Sequence, residues 1–220
     1  MLYIVSTPIG NLGDMTFRAV EVLKAVDLIA SEDTRHTGIL LKRYEITTRQ
    51  TSFHEHNKSR KTDELISLLQ QGQDIALVSD AGTPGISDPG YRLVRAVLDN
   101  GLEVTVVPGP CAAIAGLSLS GLPTDRFVFE GFLPPKSGAR RRRLEALKDE
   151  GRTVIFYESP HRLLKTLGDI GAVLGQDCQV ACCREMTKKF EEVVRGTPEE
   201  VVRYFDGRRV KGEIVLAVKI

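Results

Sequence analysis

The residues in this sequence best equipped for chemistry are Glu32, Asp33 and Arg35, directly behind the apolar run Leu28–Ser31. A carboxylate placed beside a weakly acidic hydroxyl can take its proton as the oxygen attacks, an effect of typically about 10²–10⁴-fold. A guanidinium nearby can hold a phosphate or steady a developing oxyanion. The same residues also read as a helix start, with Asp33 as N-cap or early acid and Arg35 in solvent. A further carboxylate, Asp80, closes the run Asp74–Ser79.

Gly and Pro cluster just behind such runs, at Thr7–Gly13, Asp80–Gly90 and Val107–Pro110. In open α/β sheets ligands bind outside the carboxyl ends of the strands. Glycine lets the backbone approach a ligand closely, and proline fixes the loop shape beforehand. Ordinary turns are the plain alternative, but a loop as long as Asp80–Gly90 behind a strand-end carboxylate is unusual. No two glycines are separated by a single residue and no P-loop pattern occurs. That disfavours ordinary dinucleotide and P-loop phosphate binding.

The elements that must position these loops alternate in type. Strands are expected at Leu2–Ser6, Leu28–Ser31, Asp74–Ser79 and Glu103–Val107. Helices are expected at Phe17–Val26 (with Thr16 as N-cap), Ser59–Gln71, Tyr91–Asn100 and Cys111–Ser120. This is α/β patterning. The turn-rich segment Gly121–Asp125 is the best boundary, giving domains 1–121 and 122–220. Beyond it, strands are expected at Arg126–Phe132, Thr153–Glu158, Gln179–Glu185 and Gly212–Val218. Helices are expected at Ala139–Glu150, His161–Leu174 and Pro198–Phe205.

The chain of 220 residues has a formal charge of +1, so any nucleic-acid contact must be local. Lys136, Arg140, Arg141, Arg142 and Arg143 are the densest basic run, and Lys188-Lys189 and Arg208-Arg209-Lys211 are weaker candidates. Cations near a helix start oppose the macrodipole, which is easier to understand if anions bind there. His54 and His56 lack a third ligand at sensible spacing, so polar surface or nucleic-acid contact is preferred to a metal site. Cys182 and Cys183 lie in a strand that reads as core. No apolar run approaches the ~20 residues of a membrane span, and the N-terminus does not read as a signal peptide. A cytoplasmic protein without metal is expected.

Seven ordered segments resemble one family. They are residues 3–12, Ser31–Thr37, Leu77–Pro84, Pro108–Ala112, Phe156–Arg162, Arg184–Lys188 and Lys211–Leu216, and they are similar to the ribosomal RNA small subunit methyltransferase I family of the tetrapyrrole methylase superfamily. The resemblance implies two α/β domains of the class III methyltransferase type with a cofactor cleft between them. It implies transfer of a methyl group from S-adenosylmethionine to the ribose 2′-hydroxyl of a cytidine in the decoding region of 16S ribosomal RNA. Pro8, Gly10, Asp80, Thr83, Pro84, Ser87, Cys111, Ala112 and Tyr157 are then expected at the cofactor. Glu32, Asp33 and Arg35 are expected at the reacting hydroxyl, and the basic run Lys136 and Arg140–Arg143 on the RNA. Alignment with an already activated methyl group can supply most of the rate without an essential base. The resemblance further implies a homodimer, and relatives that continue past the last strand with a helical extension, where this sequence ends at Ile220. A tetrapyrrole C-methyltransferase and a non-catalytic ribosomal RNA-binding protein are the competing readings.

Overall fold

Strands that are apolar at nearly every position must be covered on both faces, which favours a parallel sheet. The computed structural model, which describes residues 1–88 and 90–220, contains one built from β1 (Leu2–Val5), β2 (Leu28–Ser31), β3 (Gln50–Ser52), β4 (Ile75–Val78) and β5 (Val104–Val107). Pro89, within the predicted loop 80–90, lies outside the described residues. The order is β3-β2-β4-β1-β5 and all pairings are parallel. The strands are joined through α1 (Phe17–Ala25), α2 (Thr34–Arg43), α3 (Lys58–Gln70) and α4 (Gly90–Asp99).

Side chains alternate between the two faces of a strand, and two cores result. Val5, Ile29, Ala76 and Val78 pack with Ala19 and Leu23 of α1 and Leu40 and Leu41 of α2. Leu28, Ala30, Ile75 and Leu77 pack with Leu65 and Leu69 of α3 and Leu93 and Val97 of α4. Thr16 caps α1, its Oγ1 accepting from the Ala19 amide at 3.2 Å.

The second unit begins with α5 (Ala112–Ser120) and continues through β6 (Phe127–Phe132), α6 (Ser137–Glu145), β7 (Thr153–Glu158), α7 (Leu163–Leu174), β8 (Gln179–Arg184), β9 (Glu192–Gly196), α8 (Pro198–Phe205) and β10 (Ile214–Lys219). Its sheet, β6-β7-β10-β8-β9, is parallel only between β6 and β7. Phe156, Val180, Leu216 and Val218 form its core with Leu144, Leu167, Ile170, Val201 and Phe205. A small-residue helix covers the opposite face. A Cβ on Gly116 of α5 would stand 2.7 Å from the Val215 side chain, and the Cys183 thiol faces the Gly116 carbonyl at 3.6 Å.

That contact moves the division of the chain. The two units are Met1–Cys111 and Ala112–Ile220, so α5 belongs with the second unit rather than closing the first at residue 121. Among the described residues two strands and one α-helix are additional to those expected, beside a single 3-10 turn at Leu12–Asp14. The edge strand β3, Gln-Thr-Ser, has no apolar signal, and β9 is a short, half-buried edge strand. The first turn of α2 is polar, so its helical period emerges only at Leu40 and Leu41. Among the described residues no helix is long and apolar enough to cross a membrane.

Candidate active site

Parallel strands in register deliver the residues that follow them side by side. Ser31 pairs with both Ser52 and Val78, so the chain beyond β2 is flanked by the chains beyond β3 and β4. The Phe53 amide donates to the Ser31 carbonyl at 2.8 Å. One carboxylate oxygen of Asp80 accepts from the Asp33 amide at 3.0 Å, and the Asp80 amide reaches the Glu32 carboxylate at 3.5 Å. Glu32 also borders a small cavity with Phe53, Ser79, Pro84 and Asp88. Burial first, and then the charges of Asp80 and Asp88, push the Glu32 carboxyl above its ordinary range, only partly offset by the Asp80 amide.

Asp33, the next residue in the chain, has a different environment. It is the N-cap of α2, its Oδ1 accepting from the Arg35 amide at 2.8 Å, and its other oxygen meets the Arg35 guanidinium at 2.9 Å. Hydrogen bonds from the Arg35 side chain and backbone hold its carboxyl well below the usual range. The Arg35 side chain is 90% exposed. The alternative weighed for Asp33, a helix cap, is therefore what the geometry contains.

The other two Gly/Pro loops of this unit join the same end of the sheet. Thr7 and Gly82 exchange backbone hydrogen bonds at 2.9 and 3.1 Å, and the Thr7 hydroxyl donates to the Ser79 carbonyl at 3.2 Å. The Ser6 and Thr83 hydroxyls are 3.0 Å apart, and the Thr83 hydroxyl donates to the Pro110 carbonyl at 3.1 Å. Gly109 approaches so closely that a Cβ there would stand 2.9 Å from that of Ser6. Within the long loop Asp88 accepts from the Gly85 and Gly90 amides at 2.7 and 2.9 Å. Ser87 sits in the left-handed region at φ 68°, a strained conformation for a residue with a side chain.

The nine expected cofactor residues thus fall into two groups. Pro8 and Pro84 are buried on these loops, Thr83 and Cys111 half-buried, and Gly10 and Ser87 exposed, with Asp80 at the centre. Ala112 and Tyr157 belong to the second unit. Ala112 opens α5, and the Tyr157 ring on β7 lies edge-on to Phe129 and Phe132 at centroid distances of 4.9 and 5.6 Å.

The basic run needs correction. Arg140 is 2% exposed and its guanidinium is spent inside the protein, on Asp169 at 2.6 Å and on the Pro135 carbonyl at 3.1 Å. Arg141 also binds Asp169, at 2.6 Å, and Arg143 clasps Glu130 through two hydrogen bonds at 2.7 and 2.8 Å. Burial alone would raise the Asp169 carboxyl, but hydrogen bonds from Arg141, Arg140 and Ser137 outweigh it and leave it below its ordinary value. Lys136 and Arg142 remain exposed. Consecutive residues on a helix point in all directions, so the run splits between core and surface.

His54 is a further residue at this end of the sheet. Just behind β3, it offsets a small part of the rise at Glu32, and its Nδ1 is buried with no hydrogen-bond partner among the described residues. Its only sequence signal was the His54-Glu55-His56 spacing. Cys182 and Cys183 are buried, and burial pushes both thiols up, Cys183 to about 11, which keeps them protonated and inert.

Comparison with known proteins decides the family. The model of the tetrapyrrole (corrin/porphyrin) methylases matches residues 1–202. The chain is 56% identical over 218 residues to the ribosomal RNA small subunit methyltransferase I of Synechocystis sp., covering 99% of this chain and 78% of that one. To the protein of the same name from Escherichia coli O157:H7 it is 56% identical over 220 residues, 99% of this chain and 77% of that one. This chain belongs to the ribosomal RNA small subunit methyltransferase I family. Members of the family are methyltransferases that take the methyl group from S-adenosylmethionine, and the chain is such an enzyme. A uroporphyrin-III C-methyltransferase from Thermus thermophilus, solved with S-adenyl homocysteine, superposes with a TM-score of 0.68 over 99% of this chain and 96% of that one. At 18% identity that likeness is one of fold. The small subunit methyltransferase I family therefore shares its fold with enzymes acting on quite different substrates, which leaves substrate choice to residues outside the common frame.

Proposed function

We propose that this enzyme methylates the ribose 2′-oxygen of a cytidine in the decoding region of 16S ribosomal RNA within the small ribosomal subunit. The observation that carries the proposal is the 56% identity over nearly the whole chain to proteins named for small-subunit ribosomal RNA. The reading extends to a homodimer acting in the cytoplasm.

When bound, S-adenosylmethionine supplies a methyl group on a positively charged sulfonium. The donor set of the first unit suits such a group: carboxylates at Asp80 and Asp88, and loops packed so closely that Gly109 has no room for a Cβ. On this reading Pro8, Gly10, Asp80, Thr83, Pro84, Ser87, Cys111, Ala112 and Tyr157 hold the cofactor. Glu32 would take the proton that the ribose hydroxyl loses as its oxygen accepts the methyl group, the methyl–sulfur bond breaking with its electron pair left on a neutral thioether sulfur. A carboxyl raised by burial is a stronger base than an ordinary one and is better matched to that task near neutrality. Arg35, exposed at the start of α2, is free of the core and suited to a phosphate, whereas Asp33 holds Arg35 and caps the helix.

The test is S-adenosylmethionine titration by calorimetry followed by methyl transfer to small subunits that lack the modification. Cofactor binding with transfer to a ribose hydroxyl is the expected result. Binding with no transfer to RNA would sink the substrate assignment, and light scattering checks the dimer.

A further inference from the structure

With Arg140, Arg141 and Arg143 committed to internal partners, the second unit still presents another basic surface, and it is built differently. Between β8 and β9 the chain turns through two non-glycine residues in the left-handed region, Glu185 at φ 52° and Thr187 at φ 66°. Such backbone persists only where its surroundings over-determine it, and it clusters where function requires a fixed shape. Here the surroundings are specific. The Glu185 carboxylate accepts from the Glu213 amide at 3.1 Å and from the Lys188 ammonium at 2.9 Å, and Lys188 also bridges to Glu213 at 2.7 Å. Glu191 accepts from the Thr187 amide at 2.6 Å. A Cβ on Gly212 would collide with the Glu185 carboxyl, so the clamp needs glycine opposite it.

What this clamp holds out is Lys189-Phe190. The Phe190 ring is 65% exposed, with the Lys189 ammonium 5.6 Å from its centroid. Arg184 ties the tip to its neighbours, donating to the Phe190 carbonyl at 3.4 Å, the Lys211 carbonyl at 3.0 Å and Glu192 at 2.9 Å. The other oxygen of Glu192 accepts from the Tyr204 hydroxyl at 2.7 Å, and the Arg208 guanidinium stacks 3.9 Å from the Tyr204 ring centroid. Aromatic rings and exposed cations therefore alternate along one strip, while Lys188 and Arg184 neutralise the carboxylates beneath it.

We propose that this strip seats an unpaired segment of the RNA substrate, one base stacking on Phe190 and the neighbouring phosphates meeting Lys189, Lys211 and Arg208. A large ring held in water by a rigid loop is matched to a base face, because every base has one and little ordering remains to be done on binding. Interleaved cations match the phosphates that flank each base. A protein partner would call for a continuous apolar patch, and Phe190 stands among charges instead. The inference rests on the RNA reading above and names the surface that serves it.

The test uses the full chain with unmodified small subunits, following KM, kcat, cofactor affinity by calorimetry and the melting temperature. Phe190→Ala and Phe190→Leu are expected to raise KM by about 5–100-fold, the range that base stacking supports, with cofactor affinity and melting temperature unchanged. Phe190→Trp is expected to keep KM near wild type. Lys189→Gln with Lys211→Gln should flatten the dependence of log KM on log salt by about 1.4. An unchanged KM in Phe190→Ala overturns the proposal, as does a Phe190→Leu enzyme that matches wild type, which would indicate an apolar protein contact. A wild-type enzyme that binds cofactor but methylates no small-subunit RNA defeats the underlying reading first, and this surface with it.

Discussion

Glu32 in the first unit and Asp169 in the second are both carboxylates withdrawn from water, and their surroundings push them in opposite directions. Asp169 is met by two guanidiniums and the Ser137 hydroxyl, so its charge is fully answered and its carboxyl lies below the ordinary range. Glu32 is met by further carboxylates and one long backbone hydrogen bond, and lies above that range. A saturated buried charge holds elements together, in this case α6 to α7. An under-satisfied one keeps capacity for a proton or a ligand, which is what a site needs. The lesson is that charge and burial alone do not separate structure from function; the partners do.

The sharpest way to break this contrast is Glu32→Gln. Turnover on small subunits is expected to fall by about 10²–10⁴-fold with cofactor affinity kept, and wild-type turnover would show that alignment alone carries the reaction. Stability should move the other way. A carboxyl raised in the folded state is favourable while protonated and becomes a cost as pH rises through its folded value. The Gln variant should therefore melt higher than wild type at pH 7 and show no such gain at pH 4, as followed by circular dichroism.

For Asp169 the opposite sign applies, its contribution being present above the ordinary carboxylate range and lost as pH falls through its depressed value. Arg140→Leu leaves Asp169 buried against too few donors and is expected to cost about 3–5 kcal/mol by urea denaturation. Adding Asp169→Leu should recover much of that loss. If Arg140→Leu instead weakens RNA methylation with stability intact, the original assignment of Arg140 to RNA is restored.

A smaller effect tests the placement of α5. Gly116→Ala forces a methyl group against Val215 and is expected to cost about 1–3 kcal/mol of stability; a neutral result would mean that the helix is not seated on β10. Smallest is Asp33→Ala, which removes the cap of α2 and should lower the melting temperature modestly while leaving proton transfer intact. A turnover loss as large as that of Glu32→Gln would place Asp33 back among the catalytic groups.

Much of the fold was legible because its signals are local. Buried parallel strands such as Ile75–Val78 are apolar at every position, and the capped helix behind Thr16 announces its own start. The strand β3 was not, since Gln50–Ser52 is defined by its pairing with β2 and carries no apolar mark of its own. The site divides in the same way. Gly/Pro loops behind strands and the carboxylates Glu32 and Asp80 stood out by type and position, while the buried Nδ1 of His54 had no sequence signal beyond its spacing.

The sequence by itself determined the alternation of elements, the ends of the strands and the residue types waiting there, because hydrophobic period, proline and glycine act over a few neighbouring residues. Only the tertiary structure decided which charges are answered. Arg140 and Arg142 are two residues apart on one helix, yet the first is buried against Asp169, 29 positions away, and the second faces water. Partners that distant in the chain are set by packing, and a side chain's chemistry follows from them.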